Sequence, residues 1–139
     1  MEVTSKTTWQ RNMTFTGSAW SGHEVTMDAG DEFGGEDSAV RPMELVLIGL
    51  AGCTGMDVVS LLRKMRVPFE GLELNIKAGK TEEHPRVFSR IDIEYVLRGD
   101  DIDPAKVEKA ITLSQDRYCS VSAMLRKHCP VEHTLRIES

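Results

Sequence analysis

Polar and β-branched residues alternate in short stretches at the start of the chain. These stretches are Val3–Trp9, Arg11–Thr16 and His23–Met27. The small residues that separate them are Gly17, Ser18, Ser21 and Gly22. Short stretches of this kind, punctuated by glycine and serine, are typical of strands joined by tight turns. We therefore expect a small antiparallel meander at the N-terminus.

A long apolar helix is predicted next. The acidic, glycine-rich segment Asp28–Arg41 is expected to be a mobile loop. Pro42 fits the first position of a helix, and from Leu45 to Met65 apolar residues occupy nearly every helical face. That pattern indicates a fully buried helix, which Val67-Pro68 ends. A helix of about 24 residues is ~36 Å long. One small sheet does not cover this length, so we expect a second subunit to help bury it.

The C-terminal half alternates strands with helices. Residues Leu72–Ala78 and Ile91–Leu97 alternate apolar and polar side chains, and the short charged connection between them predicts an antiparallel pair. Asp103-Pro104 is a helix start, and its predicted inner stripe is Val107, Ala110, Ile111 and Ser114. A shorter helix is expected over Ser120–Lys127 and a last strand over Val131–Ile137. The predicted class is α+β, with helices on antiparallel sheet.

Length and composition narrow the class of protein. The chain has 139 residues and a formal net charge of −5, so we expect a single domain over residues 1–139 and no nucleic-acid partner. Three cysteines and no apolar N-terminal stretch favour a reducing cytoplasm. The longest apolar stretch, Leu45–Leu62, contains Asp57 and three glycines. We therefore expect no membrane span.

Two of the cysteines lie in contexts that suggest chemistry. Cys53 has glycines on both sides in the predicted helix, which indicates either tight packing against another helix or access to the thiol. Cys119 follows Arg117 and precedes Ser120, the expected N-cap of a helix, and both neighbours favour a thiolate. Asp57, four residues after Cys53, disfavours a Cys53 thiolate, so a reactive Cys53 needs a cation from elsewhere in the fold.

A metal site is a weaker interpretation. The potential zinc ligands are Cys119, His128, Cys129 and His133. Their spacing lacks the close pairs typical of zinc sites, so we expect no metal and no cofactor. Cys129, before Pro130, is expected to pack at a helix exit.

Several short motifs resemble those of one family. They are Pro42-Met43-Glu44-Leu45, Gly52-Cys53 within a long helix, and Tyr118-Cys119-Ser120-Val121. Together with the order of elements, they resemble the OsmC/Ohr family of thiol-dependent hydroperoxide reductases, and Asp57-Val58-Val59-Ser60 is most similar to its less characterised OsmC-like branch. The resemblance implies an OsmC-like fold with antiparallel sheets around a long buried central helix. It also implies an intertwined homodimer.

The resemblance further implies a metal-free peroxidase cycle. Cys53 would be the peroxidatic cysteine that attacks a small-molecule hydroperoxide, and Cys119 the resolving cysteine. A dithiol reductant would restore both. Family sites pair the reactive cysteine with an arginine and a glutamate; here Met43 stands in the glutamate's place, Glu44 is the nearest substitute, and Arg11 and Arg41 are candidates for the arginine.

These departures leave a second interpretation open. The chain could be a non-catalytic OsmC-like dimer that binds a small ligand, or a stress-associated protein whose cysteines are structural. Met43 and Asp57 favour this alternative. A peroxide-induced disulfide between Cys53 and Cys119 would distinguish the two.

Overall fold

The computed structural model describes all residues from Met1 to Ser139. It divides into two compact units, Met1–Leu47 and Ile48–Ser139. A single domain over residues 1–139 therefore stays a prediction.

The N-terminal unit contains the expected antiparallel meander. Strands β1 (Ser5–Arg11), β2 (Thr14–Ala19) and β3 (Glu24–Met27) form a sheet in the order β1-β2-β3. Both pairings are antiparallel. The three strands confirm the interpretation of the N-terminal pattern.

The acidic segment after β3 is folded around one carboxylate. The buried Asp28 side chain accepts the hydroxyl of Ser38 at 2.6 Å and the backbone N–H groups of Ala29, Glu36 and Ser38 at 2.8, 3.1 and 3.1 Å. These bonds, led by the one from Ser38, lower the pKa of Asp28 to about 2. The structure thus shows a hydrogen-bonded turn where the glycine content had suggested a mobile loop.

Helix α1 spans Pro42–Lys64, close to its predicted bounds. It ends because Arg66 adopts a left-handed conformation with φ of 58°. The N–H of Arg66 then reaches the carbonyl of Arg63, and that of Val67 reaches Leu62, which is the Schellman arrangement. Its termination therefore involves more than the proline at position 68.

The prediction that α1 is fully buried was wrong for the single chain. Its buried residues form one stripe, Leu50, Thr54, Val58 and Leu62. Ile48 and Met56 are 54% and 76% exposed. An apolar pattern on every face showed that the helix avoids water, but it did not show what covers each face.

By length and composition alone, α1 is apolar enough to cross a membrane, contrary to the expectation drawn from its glycines and Asp57. Within the C-terminal unit, its stripe Leu50, Thr54, Val58 and Leu62 is buried. Core helices of soluble proteins pass the same test of length and composition, so the test is weak evidence for a span.

The C-terminal sheet has the order β4-β5-β6. Strands β4 (Gly71–Lys80) and β5 (Phe88–Arg98) are antiparallel, as predicted. Strand β6 (Val131–Glu138) is parallel to β5, with Val131 opposite Ile91. The prediction of purely antiparallel sheets was therefore wrong here, because the helices between β5 and β6 return the chain to the start of β5 as a crossover.

That crossover contains three helical segments. Helix α2 spans Pro104–Leu113, and its N-cap Asp103 accepts the N–H of Ala105 at 3.0 Å. A π-helix, Ser114–Tyr118, follows without a break, and α3 spans Ser120–Arg126. The predicted inner stripe of α2 is confirmed, since Val107, Ala110, Ile111 and Ser114 are all buried. The α+β class is likewise confirmed.

Candidate active site

Cys53 and Cys119 both lie in the C-terminal unit. Cys53 lies in the middle of α1 and is partly exposed, whereas Cys119 lies between the π-helix and α3 and is 2% exposed. The Cys53 thiol contributes to the raised pKa of Cys119, and both thiols are free. Cys129 is buried near Pro130, after α3. The structure thus places the two cysteines that the sequence singled out in one unit, where one influences the pKa of the other.

The π-helix determines where Cys119 lies. Its wider turn lets the N–H of Cys119 reach the carbonyl of Ser114, five residues earlier, at 2.7 Å. Cys119 then becomes the N-cap of α3, and its sulfur accepts the N–H of Ser122 at 3.4 Å. The N-cap was expected one residue later, at Ser120.

The electrostatics of Cys119 are opposite to those expected from its neighbours in sequence. Burial, the thiol of Cys53 and the charge of Asp57 raise the pKa of Cys119 to about 11, against the lowering effect of the Ser122 N–H. Arg117 lies over the ring of Tyr118, 5.7 Å from its centre. The desolvation of a buried thiol outweighs one helix N-terminus, so Cys119 is a thiol at neutral pH.

A buried polar network lies behind the cysteine pair. The hydroxyl oxygen of Thr54 lies 2.7 Å from those of both Tyr95 and Ser114. The amide nitrogen of Gln115 donates to Thr54 at 3.2 Å and to Tyr95 at 2.9 Å. Asp57 accepts the hydroxyl of Ser114 at 2.9 Å. The network joins α1, β5 and the π-helix.

The hydrogen bonds of this network run in one direction. A carboxylate only accepts, so Ser114 donates its single hydroxyl proton to Asp57. Thr54 must then donate to Ser114, and Tyr95 to Thr54. Burial also raises the pKa of Tyr95, which keeps its proton in place. A directed chain therefore leads from Tyr95 through Thr54 and Ser114 to Asp57.

Gln115 is fixed at the other side of the network. Its side-chain oxygen accepts the hydroxyl of Ser122 at 2.6 Å and a guanidinium N–H of Arg126 at 3.4 Å. Because a guanidinium only donates, this oxygen and the amide nitrogen cannot be exchanged. Arg126 also pairs with Asp116 at 2.9 Å. The sequence pattern does not connect these residues; its one signal is that polar residues such as Thr54 and Ser114 lie on apolar helical stripes.

The glycines beside Cys53 open a groove within the C-terminal unit. A Cβ atom added at Gly52 would meet nothing within 4 Å, and one at Gly55 would meet only Leu74. The groove has a volume of about 900 Å³ and is lined by α1 and β4, with Arg63 and Lys64 at its border. Tight packing against another helix, one of the two explanations for these glycines, is therefore not found within this chain.

The three supporting candidates all lie in the N-terminal unit. Arg11 is 3.7 Å from the Glu36 carboxylate, and Arg41 is 2.7 Å from Asp37. Glu44 accepts the backbone N–H of Arg41 at 3.3 Å, as a first-turn acid near a helix N-terminus does. A role for Arg11, Arg41 or Glu44 at Cys53 stays a prediction.

Two of the four potential zinc ligands, His128 and His133, have other partners. A ring nitrogen of His128 lies 2.9 Å from the carbonyl of Phe88, and His133 lies 3.0 Å from Glu108. No group of three or more His, Cys, Asp or Glu side chains is placed to hold a metal ion. The structure does not bring these ligands together.

Residues 35–134 match the family model described as OsmC-like protein. The chain belongs to the OsmC-like family. It is 36% identical to protein YhfA of Escherichia coli strain K12 over 129 residues, which are 93% of each chain. The family match agrees with the elements described above, and the OsmC-like fold is a soluble domain.

Solved structures share this fold over almost their whole length. A hypothetical protein from Aquifex aeolicus is 28% identical with a TM-score of 0.83, covering 100% of this chain and 99% of that one. An organic hydroperoxide resistance protein from Elizabethkingia anophelis is 15% identical with a TM-score of 0.70, covering 100% and 96%. At that identity the second likeness shows the fold alone.

Proposed function

We propose that this OsmC-like protein is a thiol-dependent hydroperoxide reductase that acts in oxidative-stress defence in the cytoplasm. Cys53 is its peroxidatic cysteine and Cys119 its resolving cysteine. The observation that carries the proposal is the effect of the partly exposed Cys53 thiol on the pKa of the buried Cys119 thiol, since both cysteines are free.

The exposures of the two thiols suit a two-step cycle. The partly exposed Cys53 attacks the O–O bond of a hydroperoxide; an S–O bond forms, the O–O bond breaks and an alcohol leaves with a proton. Cys119 then attacks the Cys53 sulfenic acid, which forms the disulfide and releases water. A dithiol reduces this disulfide and is itself oxidised. Because Cys119 stays a thiol at neutral pH, it does not compete with Cys53 for peroxide.

The test is turnover of an organic hydroperoxide with dithiothreitol as the dithiol. Cys53→Ser is expected to abolish turnover, whereas Cys119→Ser stops the cycle at a sulfenic acid on Cys53 that dimedone traps. Cys129→Ser is the matched control, since it removes a buried thiol outside the pair. Equal consumption by wild type and Cys53→Ser would overturn the proposal.

A non-catalytic alternative is favoured by the groove beside α1. Apolar walls with Arg63 and Lys64 at the border suit a ligand with an apolar body and an anionic head. In that case the protein is a binding module. Decanoate would raise the melting temperature equally in wild type and Cys53→Ser, and neither would turn over peroxide.

We also propose that the protein acts as a homodimer. The exposed apolar residues Ile48 and Met56 lie on the face of α1 that lines the groove. Exposed apolar surface of this kind is typical of an interface. A second copy supplies the cover that the sequence pattern of α1 requires.

A further inference from the structure

Asp57 and Cys119 are held by the same residue. The hydroxyl of Ser114 donates to Oδ2 of Asp57 at 2.9 Å, and the carbonyl of Ser114 accepts the N–H of Cys119 at 2.7 Å. The charge of Asp57 acts on the Cys119 thiol, since it contributes to the raised pKa of that group. Ser114 thus links the Asp57 carboxylate to the backbone N–H of the buried cysteine.

The attack of Cys119 on oxidised Cys53 needs a group that accepts the proton of the Cys119 thiol. Cys119 is a thiol at neutral pH and is almost inaccessible to water. Once oxidised, the Cys53 sulfur is the atom under attack. Tyr95 on β5 is itself protonated, and Arg126 on α3 only donates, to Gln115 and Asp116. Neither Tyr95 nor Arg126 can take up the proton.

Asp57 has the properties that such an acceptor needs. Its Oδ2 atom is occupied by the hydroxyl of Ser114, and its Oδ1 atom accepts no hydrogen bond from the protein. The side chain is partly exposed, so a proton taken from the buried thiol can pass on to water. Ser114 is in turn held by Thr54 and Tyr95.

We propose that Asp57 accepts the thiol proton of Cys119 as Cys119 attacks Cys53, an inference that rests on the proposed pairing of these cysteines. The Cys119 sulfur forms the S–S bond and is oxidised, while the S–O bond of the Cys53 sulfenic acid breaks. The departing hydroxide takes up one proton and becomes water. This proton balances the one that Cys119 releases through Asp57. Ser114, Thr54 and Tyr95 are positioning residues that orient the carboxylate.

The rate of disulfide closure in Asp57→Asn distinguishes proton acceptance by Asp57 from simple repulsion of a Cys119 thiolate. If Asp57 only repelled a Cys119 thiolate, Asp57→Asn would make the thiolate easier to form and would speed disulfide closure. If Asp57 accepts the proton, the same variant slows closure, although asparagine still accepts the Ser114 hydroxyl. Asp57→Glu keeps a carboxylate and restores part of the rate. Asp100→Asn, an exposed change of equal charge, is the matched control.

Closure can be measured without peroxide, in a Cys129→Ser background. One equivalent of 5,5′-dithiobis(2-nitrobenzoate) converts the partly exposed Cys53 to a mixed disulfide. Attack by Cys119 then forms the internal disulfide and releases a second, coloured thionitrobenzoate anion. For Asp57→Asn at neutral pH we expect this release to slow by about 10²-fold, a typical contribution of general base catalysis. Ser114→Ala, which frees the carboxylate, is expected to slow release by a smaller factor.

Each outcome decides the inference. Slower release in Asp57→Asn, recovery in Asp57→Glu and an unchanged rate in Asp100→Asn support it. Unchanged or faster release in Asp57→Asn overturns it, and so does the absence of a second release in the parent protein, because Cys119 then does not close on Cys53. A protein that closes normally in this assay but ignores hydroperoxides would contradict only the proposed peroxidase function.

Discussion

The hydroxyl oxygens of Thr54 and Tyr95 lie 2.7 Å apart in the core of the C-terminal unit. Thr54 is on α1 and Tyr95 on β5, so this bond joins the helix that carries Cys53 to the middle strand of the sheet. Gln115 of the π-helix donates to both oxygens. The bond therefore links the helix of the cysteine site to the sheet that it packs on.

Removing the Tyr95 hydroxyl should destabilise the protein. Tyr95→Phe keeps the ring but leaves one N–H of Gln115 without its acceptor, and a buried unsatisfied donor costs about 1–3 kcal/mol. We expect urea denaturation to show a loss of this size in the free energy of unfolding. Tyr118→Phe is the matched control, since Tyr118 is exposed. Equal stabilities of the two variants would contradict the network.

The titration of Cys119 should depend on Cys53. Burial raises the pKa of Cys119 to about 11, and the Cys53 thiol adds to this effect. Cys53→Ala removes that contribution, so the pKa should fall but remain above 9.0, the ordinary thiol value, because the burial is retained. The measurement is the carbon-13 shift of the Cys119 Cβ atom against pH. Cys129→Ala should leave the curve unchanged; an unchanged curve in Cys53→Ala would show that the two thiols do not interact.

Acid should destabilise the turn around Asp28 in a defined pH window. The folded state lowers the pKa of Asp28 from 3.8 to about 2. The stabilisation is therefore fully present above pH 3.8 and is lost as the pH falls towards about 2. Asp28→Asn should lower the urea midpoint at neutral pH and flatten its dependence on pH in that window. Asp31→Asn, on the exposed part of the same turn, serves as the control. Parallel pH curves for wild type and Asp28→Asn would refute this role.

The sequence pattern predicted local structure better than it predicted contacts. The bounds of α1, the Asp103 N-cap and the alternation in β4 and β5 follow from short-range rules, and the structure confirms them. The parallel pairing of β6 with β5 depends on the path of the crossover, which strand periodicity does not encode.

The candidate site was predictable only in part. The two cysteines were identified by their local contexts and a family resemblance, but the state of Cys119 was not. Its raised pKa comes from burial and from Cys53 and Asp57, which are more than sixty positions away in the chain. The neighbours Arg117 and Ser120 therefore gave the wrong sign. The Tyr95, Thr54 and Ser114 network likewise arises from three separate elements.

The exposed face of α1 predicts the oligomeric state. Size-exclusion chromatography with light scattering should give about twice the chain mass of 15.5 kDa. Met56→Glu should yield monomers, because in a twofold interface the new charge appears in both copies and is buried on association. Met124→Glu, an equally drastic change at a residue that is 65% exposed on α3, should remain dimeric. A monomeric wild type, or a Met56→Glu variant with wild-type mass, would mean that α1 does not form the interface.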